Sequence, residues 1–396
     1  PIVTSMAWAA AQKDWDGTEG TWASFNARPL EQTGLHARMN GTGPFRLDRA
    51  GDDELVLARH EGYWRRPSAL ERVRFRVVAS GGLRLFMLQA GDADSGYLEE
   101  SFRPYASAAK SLRVIGDLPD DDIGDMLFFN LKIETLDNEL VGSGRLDGAG
   151  IPSDFFNDIE VRRGFAWSFD YEQFARSAFL AGARRVRSPF PPSMSPGAGG
   201  APYVKDLKKA REAFQKAFGG ELWSKGFVLP VAYSINNLNR ELAAEALRNG
   251  LKEVNPRFKV QLHPLPSREY YAALEGRKLP LFINGYFADY PDPHAYAFGL
   301  LQSQSYHPKY QSFSNPEIDA LIETASVEAD AAKRKAMYQR LAVLAEAALP
   351  HLYTYAAAPL RVCGASVTGC DSRDNTNNLA ANNFPYFYSY SKTQSR

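Results

Sequence analysis

Two aspartates, Asp289 and Asp292, stand three residues apart in the stretch GYFADYPDP. Pro291 and Pro293 each remove a backbone N–H donor and fix their own φ angle. Each proline also favours extended geometry in the residue before it. The stretch is therefore expected to be a rigid, irregular turn that carries two carboxylates.

Three kinds of chemistry fit this pair of carboxylates. Glycosidases use two carboxyl groups roughly 5 to 9 Å apart, and a turn can provide that separation. Asp292 could instead accept hydrogen bonds from the backbone of its own turn, as Asx residues often do. For Asp289, which stands where a predicted strand leaves its sheet, a role in holding a cationic group of a ligand is favoured. The residues alone leave these interpretations open.

Other signatures of catalysis or metal binding are missing from the sequence. It contains no G-x-S-x-G elbow and no H-E-x-x-H helix. The six histidines never pair at a metal-ligand spacing. The stretch GSGRLDG at 142–148 departs from the dinucleotide fingerprint and is expected to be a flexible or ligand-edge loop. We therefore expect no enzyme activity, no cofactor and no metal site.

The composition is that of a globular protein of more than one domain. The chain has 396 residues, of which 44% are hydrophobic, so two lobes are expected. Lys+Arg and Asp+Glu both number 46, which argues against a nucleic-acid partner because such binding depends on clustered positive charge. No apolar run approaches the roughly 20 residues that span a bilayer, and the first residues do not have the pattern of a signal peptide.

The only two cysteines, Cys363 and Cys370, lie close together in VCGASVTGC. Such a pair can close a small disulfide in an oxidising compartment. The alternative is a pair of free thiols, and the sequence leaves both open.

Hydrophobic periodicity predicts helices that alternate with strands through the middle of the chain, which is typical of an α/β fold. The predicted strands are 54–59, 72–78, 126–133, 227–234, 258–265 and 279–287, and the predicted helices are 158–170, 206–220, 239–254, 267–274, 314–325 and 331–348. Asn315 is expected to cap its helix, with Pro316 at the first helical position. The strand at 279–287 leads directly into the acidic turn.

Four blocks, in this order, resemble one family: the extracytoplasmic solute-binding proteins of ABC importers, peptide/oligopeptide-binding type (family 5). The blocks are NGTGPFRL with LVLARHEGYW and LQAGDAD, then FNDIEVRRGFAWSFDYEQF, then GYFADYPDP, and finally SNPEIDALIETA followed by LPHLYTY. Two features depart from the family pattern: Tyr286 stands where the family often has Trp, and the loop from Glu139 to Asp154 is longer than usual.

The resemblance implies a fold of the periplasmic-binding-protein type, class II-like, with two α/β lobes of mixed sheets flanked by helices. A hinge would join the lobes, and the solute would be enclosed between them. The first lobe is expected at 1–127 plus 356–396, and the second at 128–355. The chain would cross between the lobes near Phe128 and Tyr355.

The resemblance also implies a set of ligand-binding residues. In peptide-binding members the aspartate at the position of Asp289 pairs with the α-ammonium of the ligand, and a buried cation needs such a partner. Tyr286 would offer a ring face to the ligand. Further expected contacts are Asp292, Phe128, Phe129, Asn130 and Tyr353.

The function implied by the resemblance is to bind a solute, above all a peptide, and deliver it to the membrane permease of an ABC transporter. A saccharide, an opine or a metal chelate is the alternative within binding proteins, and a carboxylate-pair hydrolase is the alternative outside them. The expected location is extracytoplasmic, either periplasmic or as a membrane-anchored lipoprotein whose signal sequence is not in this chain.

Family members carry further residues before the GTGPF block, so the first lobe is expected to be truncated at its N-terminus. A sheet that lacks strands presents unpaired backbone groups at its edge. Either dimerisation through that edge or local disorder in residues 1–40 is therefore expected.

Overall fold

The computed structural model describes residues 5–36, 38, 40–115, 122–179, 183–197, 203–235, 237–286, 288–357, 360–371 and 385–393. The described chain forms two compact units. The first unit lies within Pro1–Asp117 together with Leu360–Asn377 and Phe384–Arg396, and the second lies within Leu118–Pro359.

The first part of the first unit consists of short helices and small sheets. Its elements are α1 (Met6–Ala11), α2 (Trp22–Asn26), β1 (Phe45–Ala50), β2 (Glu54–Arg59), β3 (Arg72–Arg76), α3 (Gly81–Ala90), β4 (Ser95–Leu98), α4 (Arg103–Ala108) and β5 (Leu112–Ile115). Strands β1, β2 and β3 form an antiparallel meander. Leu85 and Leu88 of α3 pack on Leu98 of β4 in a small hydrophobic core.

The second unit contains the larger sheet. Its elements are β6 (Asp122–Phe129), α5 (Ile159–Ser168), α6 (Tyr171–Phe179), β7 (Ala183–Arg185), α7 (Leu207–Lys216), α8 (Glu221–Lys225), β8 (Phe227–Ser234), α9 (Leu238–Val254), β9 (Phe258–Leu265), α10 (Ser267–Glu275), β10 (Leu281–Tyr286), α11 (Pro293–Leu301), α12 (Tyr306–Gln311), α13 (Pro316–Val327), α14 (Ala331–Ala348), β11 (His351–Leu352) and β12 (Tyr355–Ala357). The strand order is β7-β12-β6-β10-β8-β9, and β11 also pairs with β6. Strand β8 is parallel to β9 and β10, whereas β6 is antiparallel to β10.

The chain then returns to the first unit with β13 (Leu360–Gly364), β14 (Val367–Thr368) and β15 (Ser391–Lys392). Strand β13 inserts between β4 and β5. Cys363 and Cys370 form a disulfide in the structure, with their Cα atoms 6.8 Å apart. Their oxidation state in the cell stays a prediction.

Short 3₁₀ helices occur at turns in both units. They are Glu19–Thr21, Leu30–Gln32, Gly34–His36, Glu100–Phe102, Glu139–Val141, Phe155–Asn157, Pro192–Met194, Ala217–Gly220 and Phe387–Ser389. Among the described residues, no helix combines the length and the apolar composition that a membrane crossing requires.

Both faces of the large sheet are covered, because successive residues of its central strands point to opposite sides. On β6, Leu127 and Phe129 belong to the core that includes helices α5, α6, α7 and α9. Met126 and Phe128 belong to the opposite core, which includes helices α10, α11, α13 and α14. A strand buried on both faces leaves only its ends available to a ligand.

Local sequence signals explain where the helices begin and how closely they pack. Asp206 accepts hydrogen bonds from the first-turn N–H groups of α7. Asn315 caps α13 with Pro316 in its first turn, as predicted. Gly250 of α9 lies against Ser168, since a Cβ atom at this position would stand 1.9 Å from the Ser168 carbonyl oxygen.

Most of the helices and strands predicted for the second unit are confirmed, and one strand is shifted. The bounds predicted for the strand at 126–133 were wrong by four residues, since β6 spans Asp122–Phe129. After Phe129 the chain leaves the sheet, and the Asn130 side chain donates hydrogen bonds to the carbonyl oxygens of Arg277 and Leu279. Strands β6 and β12 lie wholly in the second unit, and the predicted bounds of the two lobes stay a prediction.

Candidate functional site

A cavity of about 560 Å³ lies at one edge of the sheet in the second unit. It is lined by Gly124, Asp125, Phe179, Asn237, Asn239, Arg240, Tyr271, Asn284, Gly285, Tyr306 and Tyr355. Several of these residues stand where β8 and β10 end. Ligands of α/β sheets bind outside the carboxyl ends of parallel strands, so the position of the cavity is that of a binding site.

An irregularity in the sheet places Asp125 at this cavity. Asn284 pairs with Met126 and Tyr286 pairs with Ile123, so two residues of β6 oppose one residue of β10. Such a β-bulge re-aims a side chain and is common beside functional sites. Asp125, one of the two residues of β6 opposite Gly285, has a φ of 57°, which lies in the left-handed region that favours glycine.

Asp125 and Arg240 form a buried pair of opposite charges. The Arg240 Nε atom is 3.5 Å from Asp125 Oδ1, and only 14% and 10% of the two side chains are exposed. Burial raises the pKa of Asp125, and the Arg240 guanidinium opposes that rise. Because desolvating either charge alone is costly, each of the two side chains requires an opposite charge nearby.

The hydrogen bonds of Arg240 fix the position of its guanidinium. Nη1 donates to Ser234 Oγ at 2.9 Å, and Nη2 donates to Asn284 Oδ1 at 3.1 Å. Nε has no hydrogen-bond partner among the described residues. Since each Nη atom carries two N–H groups, Arg240 retains donor capacity for a further acceptor.

His307 orients the Asn284 amide for this role. The Asn284 Nδ2 atom lies 3.4 Å from His307 Nε2. Burial lowers the pKa of His307 to about 4, so the imidazole is neutral near pH 7 and can accept this hydrogen bond. The amide oxygen then faces Arg240.

Aromatic side chains complete the wall of the cavity. Tyr271 and Tyr306 are 40% and 42% exposed, so their rings remain accessible. Phe179 and Tyr355 also line the cavity. Charged and amide groups therefore stand beside aromatic surface, which is the usual make-up of a small-molecule site.

Asp292 is held by its own neighbours rather than by the cavity. Its carboxylate accepts from the His294 N–H and so caps α11. It also accepts two hydrogen bonds from Arg334, at 2.7 and 3.0 Å. Burial alone would raise the pKa of Asp292, but the hydrogen bonds from Arg334 and His294 outweigh it and lower the pKa. The structure thus matches the turn-capping interpretation of this residue.

The other two residues predicted around the turn differ in exposure. Asp289 is exposed, so its carboxylate is accessible to a ligand, although it is not among the residues that line the cavity. Tyr286 is half-buried, and its hydroxyl donates to the Ala295 carbonyl oxygen at 2.8 Å. Its ring packs against Gly299, where an added Cβ atom would lie 2.1 Å from the tyrosine. Tyr286 therefore does not present a free ring face.

Four predicted contact residues belong to the interior, and a role for them as ligand contacts stays a prediction. Phe128, Phe129 and Asn130 are each 0% exposed, and Tyr353 is 4% exposed. The Phe128 ring stacks on Phe282 at a centroid distance of 5.1 Å. These side chains have no surface to offer a ligand, because the sheet is covered on both faces.

The residues that line the cavity were not predicted from the sequence, although a signal for some of them exists. Asn237, Asn239 and Arg240 follow directly after a correctly predicted strand and open the next helix. The carboxyl-end rule would have pointed to them. Among the described residues, no group of three or more His, Cys, Asp or Glu side chains could hold a metal ion.

Solved structures share this fold. A periplasmic binding protein DppA from Helicobacter pylori, in complex with the peptide STSA, matches 99% of this chain and 68% of its own with a TM-score of 0.75 at 17% identity. A dipeptide-binding protein from Pseudoalteromonas sp. SM9913, in complex with Met-Leu, matches 99% of this chain and 69% of its own with a TM-score of 0.74 at 19% identity. The prediction of a periplasmic-binding-protein fold is therefore confirmed.

The family follows from the sequence comparison. The family of bacterial extracellular solute-binding proteins, family 5 middle, matches residues 18–307, and the chain belongs to this family. The glutathione-binding protein GsiB of Escherichia coli O6:K15:H31 is 23% identical over 310 residues, which are 76% of this chain and 55% of the relative. The chain thus spans about half the length of the curated relatives that it matches.

Proposed function

We propose that this protein binds a small solute, in the first place a peptide, in the cavity of the second unit. The observation that carries this proposal is the buried Asp125–Arg240 pair on the wall of a cavity at the carboxyl ends of β8 and β10. A buried ion pair contributes little net stability, because the cost of desolvating both charges offsets their attraction. Its presence at a cavity wall therefore supports a role in recognition. Membership of the solute-binding family supports the same conclusion.

The chemistry of the acidic turn favours binding over hydrolysis. A general acid needs a carboxyl group whose pKa is raised toward the working pH. Asp292 has a lowered pKa and is engaged by Arg334. Asp292 therefore does not fit the role of the proton donor that a carboxylate-pair hydrolase requires.

Peptides remain the favoured solute, and the other classes are alternatives. GsiB is named for binding glutathione, and both solved structures above hold peptides. A neighbour from A. tumefaciens R10 holds agropinic acid, which keeps opines among the alternatives. Saccharides stay an alternative, since their hydroxyl groups can hydrogen-bond to a carboxylate and to a guanidinium.

The proposed partner is the membrane permease of an ABC transporter, which would receive the solute outside the cytoplasm. Family membership supports this proposal. Dimerisation through an edge of the first unit stays a prediction. Sedimentation of the protein at several concentrations would measure it.

Asp289 does not line the cavity, so its proposed pairing with the ligand ammonium requires a peptide that extends beyond the cavity wall. For such a peptide, an α-linked dipeptide such as Met-Leu, we expect Asp289→Asn to weaken binding by about tenfold or more, because the ammonium would lose a charge partner. Calorimetry of the wild-type and variant proteins measures the change. Asp154→Asn serves as a control, since Asp154 is an exposed aspartate of the same unit whose side chain makes no capping bond.

This experiment also tests the function itself. Measurable binding of Met-Leu, or of another peptide from a small panel, supports a peptide-binding role. A folded protein that binds no peptide but binds a saccharide or a metal chelate would overturn it. Equal affinity of the wild type and Asp289→Asn would remove Asp289 from the site and leave the cavity as the place to test.

A further inference from the structure

Two histidines of the second unit pack against the same buried phenylalanine. The His307 ring of α12 stacks on Phe128 at a centroid distance of 4.6 Å, and the His351 ring of β11 lies at 4.9 Å from it. His307 is 5% exposed and His351 is 0% exposed, whereas the other four histidines of the chain are half-buried or exposed. A charge on either ring would therefore be costly.

The surroundings of His351 suit only its neutral form. Neither of its ring nitrogens has a hydrogen-bond partner among the described residues, and protonation would make both of them donors. Arg185 and Arg187 line a small cavity beside the ring, and no carboxylate belongs to that lining. Burial and, to a lesser extent, the charge of His307 lower the pKa of His351 to about 3.

The surroundings of His307 also favour a neutral ring, which accepts a hydrogen bond. Its Nε2 atom lies 3.4 Å from Asn284 Nδ2. Burial lowers its pKa, Arg240 adds to this effect, and the Gly299 carbonyl opposes it. The Tyr286 ring packs edge-on at a centroid distance of 5.8 Å. If His307 were protonated, two donors would face each other, so the Asn284 amide would have to turn and its oxygen would leave Arg240.

Helix α12 links these histidine contacts to the wall of the cavity. Tyr306, the first residue of α12, lines the cavity, and His307 follows it directly. At the other end of the helix, Gln311 donates hydrogen bonds to the carbonyl oxygens of Phe129 and Pro350. A movement of His307 away from the sheet would therefore displace Tyr306 from the cavity.

We propose that acid detaches α12 from the sheet, because a proton taken up by His307 or His351 separates these rings from Phe128, and that solute binding weakens as a result. This inference rests on the proposed function and concerns the regulation of the same cavity. The state with α12 detached exposes His307 to solvent and opens the surroundings of His351.

The pH range of this response follows from the two states. Once exposed, a histidine takes up a proton at about pH 6.5, whereas the closed structure lowers the pKa of His307 to about 4 and that of His351 to about 3. The open state therefore binds more protons than the closed state between these values. Consequently the closed state is most stable above about pH 6.5 and loses stability as the pH falls below it.

Carboxylates also take up protons in acid, so pH dependence alone does not identify the histidines. Burial raises the pKa of Asp125, and its partner Arg240 opposes that rise. The difference between the wild type and a histidine variant removes this contribution, because Asp125 is present in both proteins.

Hydrogen exchange measures the opening of α12 without any ligand. Between about pH 6 and about pH 5, we expect protection factors at residues 306–313 to fall about sevenfold more in the wild type than in His307→Gln, which has one titrating histidine fewer. The glutamine oxygen can still accept a hydrogen bond from Asn284. Helix α5, which packs on the opposite face of the sheet, is the internal reference. An equal fall in both proteins would overturn the proposal.

Two further variants complete this experiment. His351→Leu should reduce the pH response of α12 in the same way, and it keeps the test available if His307→Gln fails to fold, since His351 has no hydrogen bond to lose among the described residues. His263→Gln is the matched control, because His263 is a half-buried residue of β9, the last strand in the sheet order. It should respond to pH as the wild type does, and a response reduced as much as in His351→Leu would contradict the assignment.

Calorimetry with Met-Leu at about pH 7 and about pH 4.5 tests the effect on the solute. The affinity of the wild type should fall at least about threefold more than that of His307→Gln, because molecules with α12 detached do not bind. An equal loss in the two proteins would overturn the proposal. If no peptide binds at either pH while α12 opens in acid as described, the proposed function fails and the acid-driven opening stands.

Discussion

Replacing Arg240 with methionine is expected to weaken solute binding by roughly 30-fold to 3,000-fold. Removing one partner of a buried charge pair at a binding site costs about 2–5 kcal/mol, and each 1.4 kcal/mol corresponds to about a factor of ten. The loss has two sources: the ligand acceptor loses its donor, and Asp125 keeps a buried charge with no partner. Calorimetry with a peptide that binds the wild type measures the change.

Arg248→Met is the matched control for this experiment. Arg248 lies on the same helix, α9, but its side chain is 41% exposed and pairs with the equally exposed Glu245. Exposed pairs contribute little, so this variant should bind as the wild type does. If the methionine variant fails to fold, the affinity of Arg240→Lys can be measured instead. Lysine keeps the positive charge but cannot reproduce the planar arrangement of donors of arginine, so binding should still be weaker than in the wild type.

Replacing Phe165 with alanine is expected to destabilise the second unit by about 3–5 kcal/mol. Phe165 is fully buried, and its ring meets those of Phe129, Phe156 and Phe214 at centroid distances between 5.2 and 5.9 Å. The substitution leaves a cavity that neighbouring aromatic rings cannot fill without moving. Denaturant unfolding, followed by a probe in the second unit, measures the free energy of unfolding.

Phe298→Ala provides the comparison for the same residue type in the same unit. Phe298 lies on α11 and is 46% exposed, so its loss should change the free energy of unfolding by less than about 0.5 kcal/mol. Similar effects of the two substitutions would contradict the assignment of Phe165 to the core beneath the sheet.

The sequence predicted much of the second unit because local signals and tertiary structure agree there. Asp206 and Asn315 are cap residues whose side chains bond to the first N–H groups of their helices. The strand at Phe227–Ser234 and the helix at Ala331–Ala348 have the predicted bounds. Each of these features depends on residues close in sequence, so a single chain is enough to predict it.

The candidate site could be predicted only in part, because it depends on contacts between distant residues. Asp125 meets Arg240 only when β6, β10 and β8 are paired and a bulge turns the aspartate toward the cavity. In the sequence, Asp125 stands in DDDIGDMLFF, which resembles an acidic loop before a strand. Nothing local indicates that its backbone is left-handed.

The burial of Phe128 and Tyr353 could not be predicted from the sequence either. Aromatic residues at the end of a strand suit either a ligand wall or a core, and the sequence does not distinguish the two. In the structure the rings of His307 and Phe282 stack on Phe128, so the Phe128 ring is buried in the core. The aromatic wall of the cavity comes instead from helices and strand ends that lie far apart in the chain, including Tyr271 and Tyr306.

Hydrogen exchange with and without a bound solute tests most directly that the cavity of the second unit holds the ligand. If the peptide binds in this cavity, we expect saturating peptide to slow amide exchange in residues 123–126, 237–240 and 284–286, which surround the cavity. Helix α13, which contributes no residue to the cavity wall, should exchange at an unchanged rate and serve as the internal reference. Bound peptide that leaves exchange in all three segments unchanged would contradict the account.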